Sequence, residues 1–266
     1  MGLRLQRQPH LRGLLLKLDS PLAARFTASP NCEPRREAKR PSALILHYTG
    51  MPTGAAALAR LIDPAARVSS HYLVWEDGRI DQLVRESERA WHAGQAFWKG
   101  ESDLNSVSIG IEIVNLGHDG GLPPFPEAQI EAVTALARDV CERWRIRPER
   151  ALAHSDVAPS RKRDPGEAFP WGRLARAGVG HWVEPAPPSG GPLFRPEEEG
   201  PAVSALQALL ALYGYGVALS GVYDRLTRAV VGAFQRHFRP ARVDGEADAS
   251  TVATLTALIE RLSREA

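Results

Sequence analysis

The sequence lacks three features that would narrow its class at once: a long apolar run, a set of cysteines, and a large net charge. No stretch approaches the roughly 18 apolar residues of a membrane helix, so no membrane span is expected. Cys32 and Cys141 are too few for a disulfide framework. The 33 basic and 31 acidic side chains leave a net charge of +2, which gives no reason to expect nucleic acid as a partner.

Positive charge is concentrated near the start of the chain. Residues 1–40 hold nine Lys or Arg against three Asp or Glu, and we predict a basic N-terminal extension over residues 1–27. Such an extension is either a solvated leader or a contact with an anionic surface. A secretory signal is not recognisable, because the short Leu14–Leu16 run is flanked by Arg12 and Lys17.

The first two thirds of the chain alternate strand and helix patterns. An apolar run at 43–47, a hairpin around Asp77–Gly78 and an apolar run at 106–115 predict strands. Pro126 opens a long helix in which apolar residues recur at helical spacing. This alternation predicts an α/β fold with a mixed central β-sheet flanked by helices.

The last third of the chain has a different pattern. A Pro/Gly-rich stretch, residues 183–200, predicts a linker. Residues 201–266 then predict a small three-helix domain with an internal repeat at a spacing of 24. The repeat pairs Gly221, Asp224, Thr227 and Ala229 with Gly245, Asp248, Thr251 and Ala253. Without a His/Asp/Glu cluster, this domain is expected to bind rather than to catalyse.

Two histidines and an aspartate are the candidate metal ligands. His47 ends the apolar run at 43–47, His154 follows the apolar run at 151–153, and Asp164 lies in the loop beyond it. Three protein ligands leave a fourth position open, which is typical of catalytic rather than structural zinc. Each histidine, taken alone, would more often be a surface imidazole or one hydrogen-bonded in the core.

Glu112 and Lys162 are the candidate catalytic residues. Glu112 interrupts the apolar run Ile109–Val114, where an unpaired carboxylate is costly to bury. It would suit a general base, and the alternative is a structural ion pair. Lys162 lies two residues before Asp164 and could stabilise an oxyanion. The alternative there is a solvated basic loop with Arg161 and Arg163.

Aromatic residues and further histidines are candidates for substrate contact. Their flat faces and polar edges suit sugar rings and peptide stems, with core packing as the competing explanation. The candidates are Tyr48, His71, Trp91, His92 and Trp98.

Five motifs together resemble the zinc-dependent N-acetylmuramoyl-L-alanine amidase family, the amidase-2 group whose fold is shared with peptidoglycan recognition proteins. The likeness covers about residues 28–182, the predicted catalytic domain. The motifs are Leu46–Gly50, Val68–Tyr72, Arg89–Gly94, Ser108–Glu112 and His154–Gly166.

The resemblance implies one Zn²⁺ per chain, held by His47, His154 and Asp164, with Glu112 catalytic and Lys162 supporting it. The implied reaction cleaves the amide between N-acetylmuramic acid and L-alanine of the stem peptide. The alternatives are a non-catalytic peptidoglycan-recognition protein and a zinc peptidase that cuts within the stem.

Residues 201–262 are similar to the small helical peptidoglycan-binding domain attached to many wall hydrolases. Leu206–Gln207, Gly221–Tyr223, Thr227, Phe234–Gln235 and Asp244–Gly245 carry this likeness. It implies peptidoglycan or muropeptides as partners and favours the cell envelope or periplasm. The cytoplasm is the alternative, because no signal peptide is recognisable.

Overall fold

A mixed six-stranded sheet organises the larger part of the computed structural model, which describes residues 18–188 and 190–265. The spatial order of its strands is β1 (Arg25–Phe26), β5 (Ile80–Gln82), β4 (Tyr72–Val74), β7 (Ser108–Ile113), β3 (Ala43–Tyr48), β8 (Ala151–Ala153). Strand β5 is antiparallel to β4, whereas β4, β7, β3 and β8 are parallel neighbours. This sheet confirms the predicted α/β class. A separate antiparallel pair joins β2 (Cys32–Pro34) to β6 (Glu88–Ala90).

The alternation of side chains along β3 assigns its residues to two faces of the sheet. Leu44 and Leu46 pack in the same apolar cluster as helix α3 (Glu127–Trp144), whereas Ile45 belongs to a different cluster on the other face. His47 is two residues after Ile45 and therefore lies on that second face. The register places His47 opposite Glu112 of β7, and Leu46 opposite Ala153 of β8. Residues at the carboxyl ends of three parallel strands are thereby brought together.

Helices pack on both faces of the sheet. The predicted long helix is α3, and its residues Ile130, Val133, Ala137 and Val140 are fully or almost fully buried. Helix α1 packs on the opposite face and begins at the N-cap Thr53, whose hydroxyl accepts a hydrogen bond from the Ala56 amide. The helices of this part are α1 (Gly54–Ile62), α2 (Leu104–Val107), α3 (Glu127–Trp144), α4 (His154–Val157) and α5 (Trp171–Arg176).

The start of β7 differs from the predicted strand at 106–115. Residues Leu104–Val107 form the short helix α2, and the strand begins only at Ser108. The Ser106 hydroxyl donates to the Asp103 carboxylate and the Ser106 amide donates to the Asp103 carbonyl. Such local bonds from short polar side chains compete with the strand ladder, and the apolar pattern alone does not reveal them.

The C-terminal part contains three helices, α6 (Pro201–Tyr213), α7 (Arg225–Phe238) and α8 (Ala249–Glu265), and the pair β9 (Pro192–Phe194) and β10 (Ala247–Asp248). The sequence repeat becomes a repeated capping network. Asp224 accepts from the Thr227 amide, and Asp248 accepts from the Thr251 amide, both at 2.7 Å. The preceding helices contribute matching glutamines, because Gln207 accepts from the amide of Gly221 and Gln235 from that of Gly245.

The two parts share one hydrophobic core. Trp98, fully buried, packs edge-to-face against Tyr213 and Tyr215 of the C-terminal part. Asp156, just after the metal-ligand candidate His154, is also fully buried. Its carboxylate accepts hydrogen bonds from Tyr215 Oη at 2.7 Å, His237 Nδ1 at 2.6 Å and the Ala153 amide at 2.8 Å. The C-terminal helices therefore contact the segment that carries His154.

The predicted domain limits at residues 27, 182 and 200 stay predictions. Residues 1–17 of the predicted basic extension lie outside the described residues. Residues 18–27 include β1, where Arg25 forms an ion pair with Asp81 at 2.8 Å. Within the part of the chain that the structure describes, none of the helices combines the length and apolar character needed to cross a bilayer.

Candidate metal centre and active site

The three predicted ligands converge at the carboxyl ends of β3 and β8. His47 ends β3, His154 begins α4 directly after β8, and Asp164 closes the following loop, held by a bond from the Ser155 amide to its own carbonyl. His47 Nδ1 lies 2.9 Å from His154 Nδ1 and 3.1 Å from Asp164 Oδ2, and His154 Nδ1 lies 2.9 Å from Asp164 Oδ2. All three side chains are buried.

The hydrogen bonds of His154 define which ring nitrogen carries the proton. Its Nε2 lies 3.1 Å from the carbonyl oxygen of Ala93, which only accepts, so the neutral ring is protonated at Nε2. The Nδ1 of His154 therefore presents a lone pair to His47 and Asp164.

A longer chain of bonds defines the tautomer of His47. The Ser108 hydroxyl donates to the Leu104 carbonyl, so its oxygen accepts from His92 Nε2 at 3.3 Å. His92 Nδ1 is then the acceptor that faces His47 Nε2 at 3.1 Å. His47 is thus protonated at Nε2, and its Nδ1 also presents a lone pair toward the other two ligands.

This donor set fits a divalent metal ion. Two imidazole lone pairs and a carboxylate oxygen meet without a hydrogen between them, an arrangement that a cation would stabilise. Zn²⁺ bonds of about 2.0–2.1 Å at tetrahedral angles put ligand atoms about 3.3 Å apart, close to the separations found. Burial, and then the neighbouring His154, lowers the pKa of His47 to about 4, which keeps it neutral and able to ligate. Burial opposes ionisation of Asp164, yet contacts with His154 and His47 hold its pKa well below the usual value.

Glu112 lies beside the three ligands on the adjacent strand β7. Its Oε2 is buried and has no hydrogen-bond partner within residues 18–188 and 190–265. No cationic side chain among those residues forms an ion pair with it, so the structural ion pair considered as an alternative is not found. Burial, and then the negative charge of Asp164, raises the pKa of Glu112 well above its usual value, while Lys162 opposes that rise. A carboxyl group in this environment is suited to taking up and releasing a proton.

A cavity of about 370 Å³ opens over these residues. Glu112 and Lys162 both line it, together with the three ligand candidates. Lys162 is partly exposed and reaches this cavity from the loop that ends at Asp164. The predicted catalytic pair therefore shares one cavity with the predicted ligands.

The predicted substrate-contact residues divide into two groups. Tyr48, Trp91 and His92 line the cavity. His71 and Trp98 are fully buried in the core. The Nδ1 of His71 accepts from the Gly110 amide at 2.9 Å, and burial lowers its pKa to about 3. We therefore retain only the first group as candidate substrate contacts.

Several residues of the site escaped the sequence reasoning. Ser108 fixes the tautomer of His92, and the Asn105 side chain accepts from the amides of His92 and Ala93. Gly110 leaves room for His92, since a Cβ at this position would lie 2.5 Å from the His92 ring. The glycine in the apolar run of β7 was the available signal for this close approach.

Comparison with known proteins shows which families and relatives this chain is similar to. Residues 37–167 match the N-acetylmuramoyl-L-alanine amidase model, and residues 199–255 match the putative peptidoglycan binding domain model. The N-acetylmuramoyl-L-alanine amidase AmiD of Escherichia coli is 41% identical over 247 residues, covering 87% of this chain and 88% of AmiD.

The chain belongs to the N-acetylmuramoyl-L-alanine amidase family.

Solved structures of this amidase family agree in fold. The complex of AmiD from E. coli with the substrate anhydro-N-acetylmuramic acid-L-Ala-D-gamma-Glu-L-Lys has a TM-score of 0.72 and 42% identity, covering 85% of this chain and 91% of AmiD. AMPDH3 from Pseudomonas aeruginosa has a TM-score of 0.69 and 33% identity, covering 86% of this chain and 94% of AMPDH3. In a comparison of sequences alone, the 1,6-anhydro-N-acetylmuramyl-L-alanine amidase AmpD of Enterobacter cloacae is 34% identical over 168 residues, covering 57% of this chain and 88% of AmpD.

Proposed function

We propose that this protein is a zinc-dependent hydrolase that cleaves the amide bond between N-acetylmuramic acid and L-alanine of the peptidoglycan stem peptide. One observation carries the proposal. Two imidazole lone pairs and a carboxylate oxygen lie within 3.1 Å of one another, beside Glu112, whose buried Oε2 has no hydrogen-bond partner among the described residues. Family membership and the matched peptidoglycan-binding model supply the substrate class.

His47, His154 and Asp164 would hold one Zn²⁺ per chain. When bound, the ion would supply a Lewis acid for the scissile carbonyl and lower the pKa of water. Their outer contacts are already in place, with His92 and the Ala93 carbonyl fixing the two rings. Such contacts keep ligands oriented and lower the cost of ordering them.

Glu112 would transfer a proton from the attacking water to the leaving amine. As a carboxylate it accepts the proton from the attacking water, and it then donates that proton to the amine of L-alanine as the C–N bond breaks. Burial and the nearby Asp164 raise the pKa of Glu112 and so favour its protonated form. Lys162 would stabilise the negative charge that develops on the carbonyl oxygen. Tyr48, Trp91 and His92 would contact the sugar or the first stem residues.

The matched peptidoglycan-binding domain relates the protein to the cell wall. We propose peptidoglycan or its muropeptides as the partner and the cell envelope as the place of action. Cytoplasmic turnover of released muropeptides is the alternative.

Two substitutions and a product analysis test this function. Glu112→Gln keeps the shape of the side chain but cannot accept the proton, so turnover should fall at least 100-fold while bound zinc stays at one per chain. His154→Ala removes one of three ligands and should lose both metal and activity. Mass spectrometry of digested sacculi should reveal free stems that begin with L-alanine. Cuts within the stem would instead indicate a peptidase, and near-normal turnover of Glu112→Gln would remove Glu112 from the proton-transfer role.

A further inference from the structure

A basic groove of about 460 Å³ lies between the loop that leads to Asp164 and helix α7 of the C-terminal part. Six cationic side chains line it: Arg161, Lys162 and Arg163 from the loop, and Arg225, Arg228 and Arg236 from α7. The spacing along α7 puts Arg225, Arg228, Gly232 and Arg236 on one helix face. Gly232 leaves the middle of that face without a side chain.

The positive charge of this groove is only partly compensated, by ion pairs of Arg163 with Asp119 at 3.0 Å and of Arg236 with Glu167 at 3.8 Å. Asp244 is the acidic side chain that lines it, and its carboxylate already accepts from Gln235 and the Glu246 amide. Among the residues that the structure describes, no carboxylate forms an ion pair with Lys162, Arg225 or Arg228.

Arg236 shows the repulsion within the groove most directly. Its Nε is buried without a hydrogen-bond partner, and its nearest carboxylate oxygen, on Glu167, is 3.8 Å away. Burial lowers the pKa of Arg236; Glu167 counteracts this, and the positive charge of Arg163 adds to the lowering. An anion bound in the groove would relieve this repulsion.

The groove adjoins the proposed active site. Arg161, Lys162 and Arg163 line both cavities. Lys162 is two residues from Asp164, so their Cα atoms lie within about 7.6 Å of each other. A stem of three residues spans about 10 Å when extended, which suffices to reach from the scissile amide to this loop.

We propose that this groove binds carboxylate groups of peptidoglycan stem peptides, and this inference rests on the proposed function. The substrate in the AmiD complex, anhydro-N-acetylmuramic acid-L-Ala-D-gamma-Glu-L-Lys, illustrates the chemistry. A γ-linked glutamate keeps its α-carboxylate free, and the last residue adds a second carboxylate. The carboxylates come from the stem being cleaved or from a neighbouring stem of the wall, and both would bind the same arginines.

Charge reversal on α7 tests the groove. Arg225 and Arg228 are exposed, so the double variant Arg225→Glu/Arg228→Glu should fold normally. Arg195→Glu/Arg264→Glu makes the same change of charge at exposed positions outside the groove and is the matched control. The full-length zinc enzyme is assayed on a muramoyl tripeptide and on the same compound with both stem carboxyls amidated.

If the carboxylates of the cleaved stem occupy the groove, KM for the carboxylated compound should be about tenfold higher in the groove variant. The reason is that two exposed attractive pairs between arginine and carboxylate become repulsive pairs between glutamate and carboxylate. Its KM for the amidated compound should equal that of the wild type, and added salt should shrink the difference. If neighbouring stems occupy the groove, KM should stay constant while retention on sacculi falls relative to the control. Equal KM and equal retention in groove and control variants would overturn the inference. Failure of the wild type to release L-alanine-terminated stems would instead overturn the proposed function.

Discussion

Tyr215→Phe is the sharpest test of how the C-terminal helices support the metal centre. Tyr215 is 1% exposed, and its Oη donates to the buried carboxylate of Asp156 at 2.7 Å. The substitution removes this bond and leaves the ring packed against Trp98. A hydrogen bond to a charged group contributes about 1.5–3 kcal/mol, so the free energy of unfolding should fall by about 2 kcal/mol. For a chain of this size, that loss corresponds to a decrease in Tm of about 4–8 °C.

The same substitution should weaken zinc binding. Asp156 also accepts from the Ala153 amide, directly before His154, so a looser carboxylate loosens a metal ligand. Substitution of residues outside the ligand set typically costs about 10–100-fold in affinity, and one layer further out we expect about three- to tenfold. Competition with a chromophoric chelator would measure this change, and calorimetry would measure the Tm.

Tyr223→Phe is the matched control. Tyr223 Oη donates to the Gly245 carbonyl at 2.9 Å, a bond that lies within the C-terminal part. This variant should lose stability but keep the zinc affinity of the wild type. Equal zinc affinity in Tyr215→Phe and the wild type would refute the idea that the junction positions His154.

Three further substitutions, one with its own control, follow from the packing and the caps. Gly110→Ala places a methyl group against the His92 ring, so zinc affinity should fall about tenfold by competition titration, whereas Gly191→Ala, with open space around it, should change nothing. Asp224→Ala removes a helix cap and should cost about 1 kcal/mol in chemical denaturation. Asp248→Ala also deprives the fully buried Arg239 of its carboxylate and should cost about 3 kcal/mol. Equal losses of unfolding free energy in Asp224→Ala and Asp248→Ala would contradict the conclusion that Asp248, in addition to capping a helix, stabilises the buried Arg239.

Several strands of the central sheet and the ligand candidates could be predicted because their signals are local. An apolar run that ends on His47 identifies a buried strand end, and a carboxylate within Ile109–Val114 stands out at once. The capping aspartates were visible for the same reason, since Asp224 and Asp248 each stand three residues before a threonine.

The contacts made by residues far apart in the chain could not be predicted this way. His92 and Trp98 were both candidates for substrate contact, yet His92 lines the cavity and Trp98 is buried by Tyr213 and Tyr215. Only the packing of the C-terminal helices on the first part distinguishes them. The Pro/Gly-rich composition of 183–200 likewise predicts a spacer and gives no sign of the shared core.

That shared core has a consequence for the hydrolysis of an insoluble polymer. A wall-binding unit on a loose tether would let the hydrolase sample many bonds around one anchoring point. Here the aromatic junction packs the C-terminal helices against the part of the chain that carries the proposed metal site. If the C-terminal helices bind the wall as proposed, each binding event would present the enzyme with bonds at one distance and one angle, and the geometry of the mesh would decide which of them are cut.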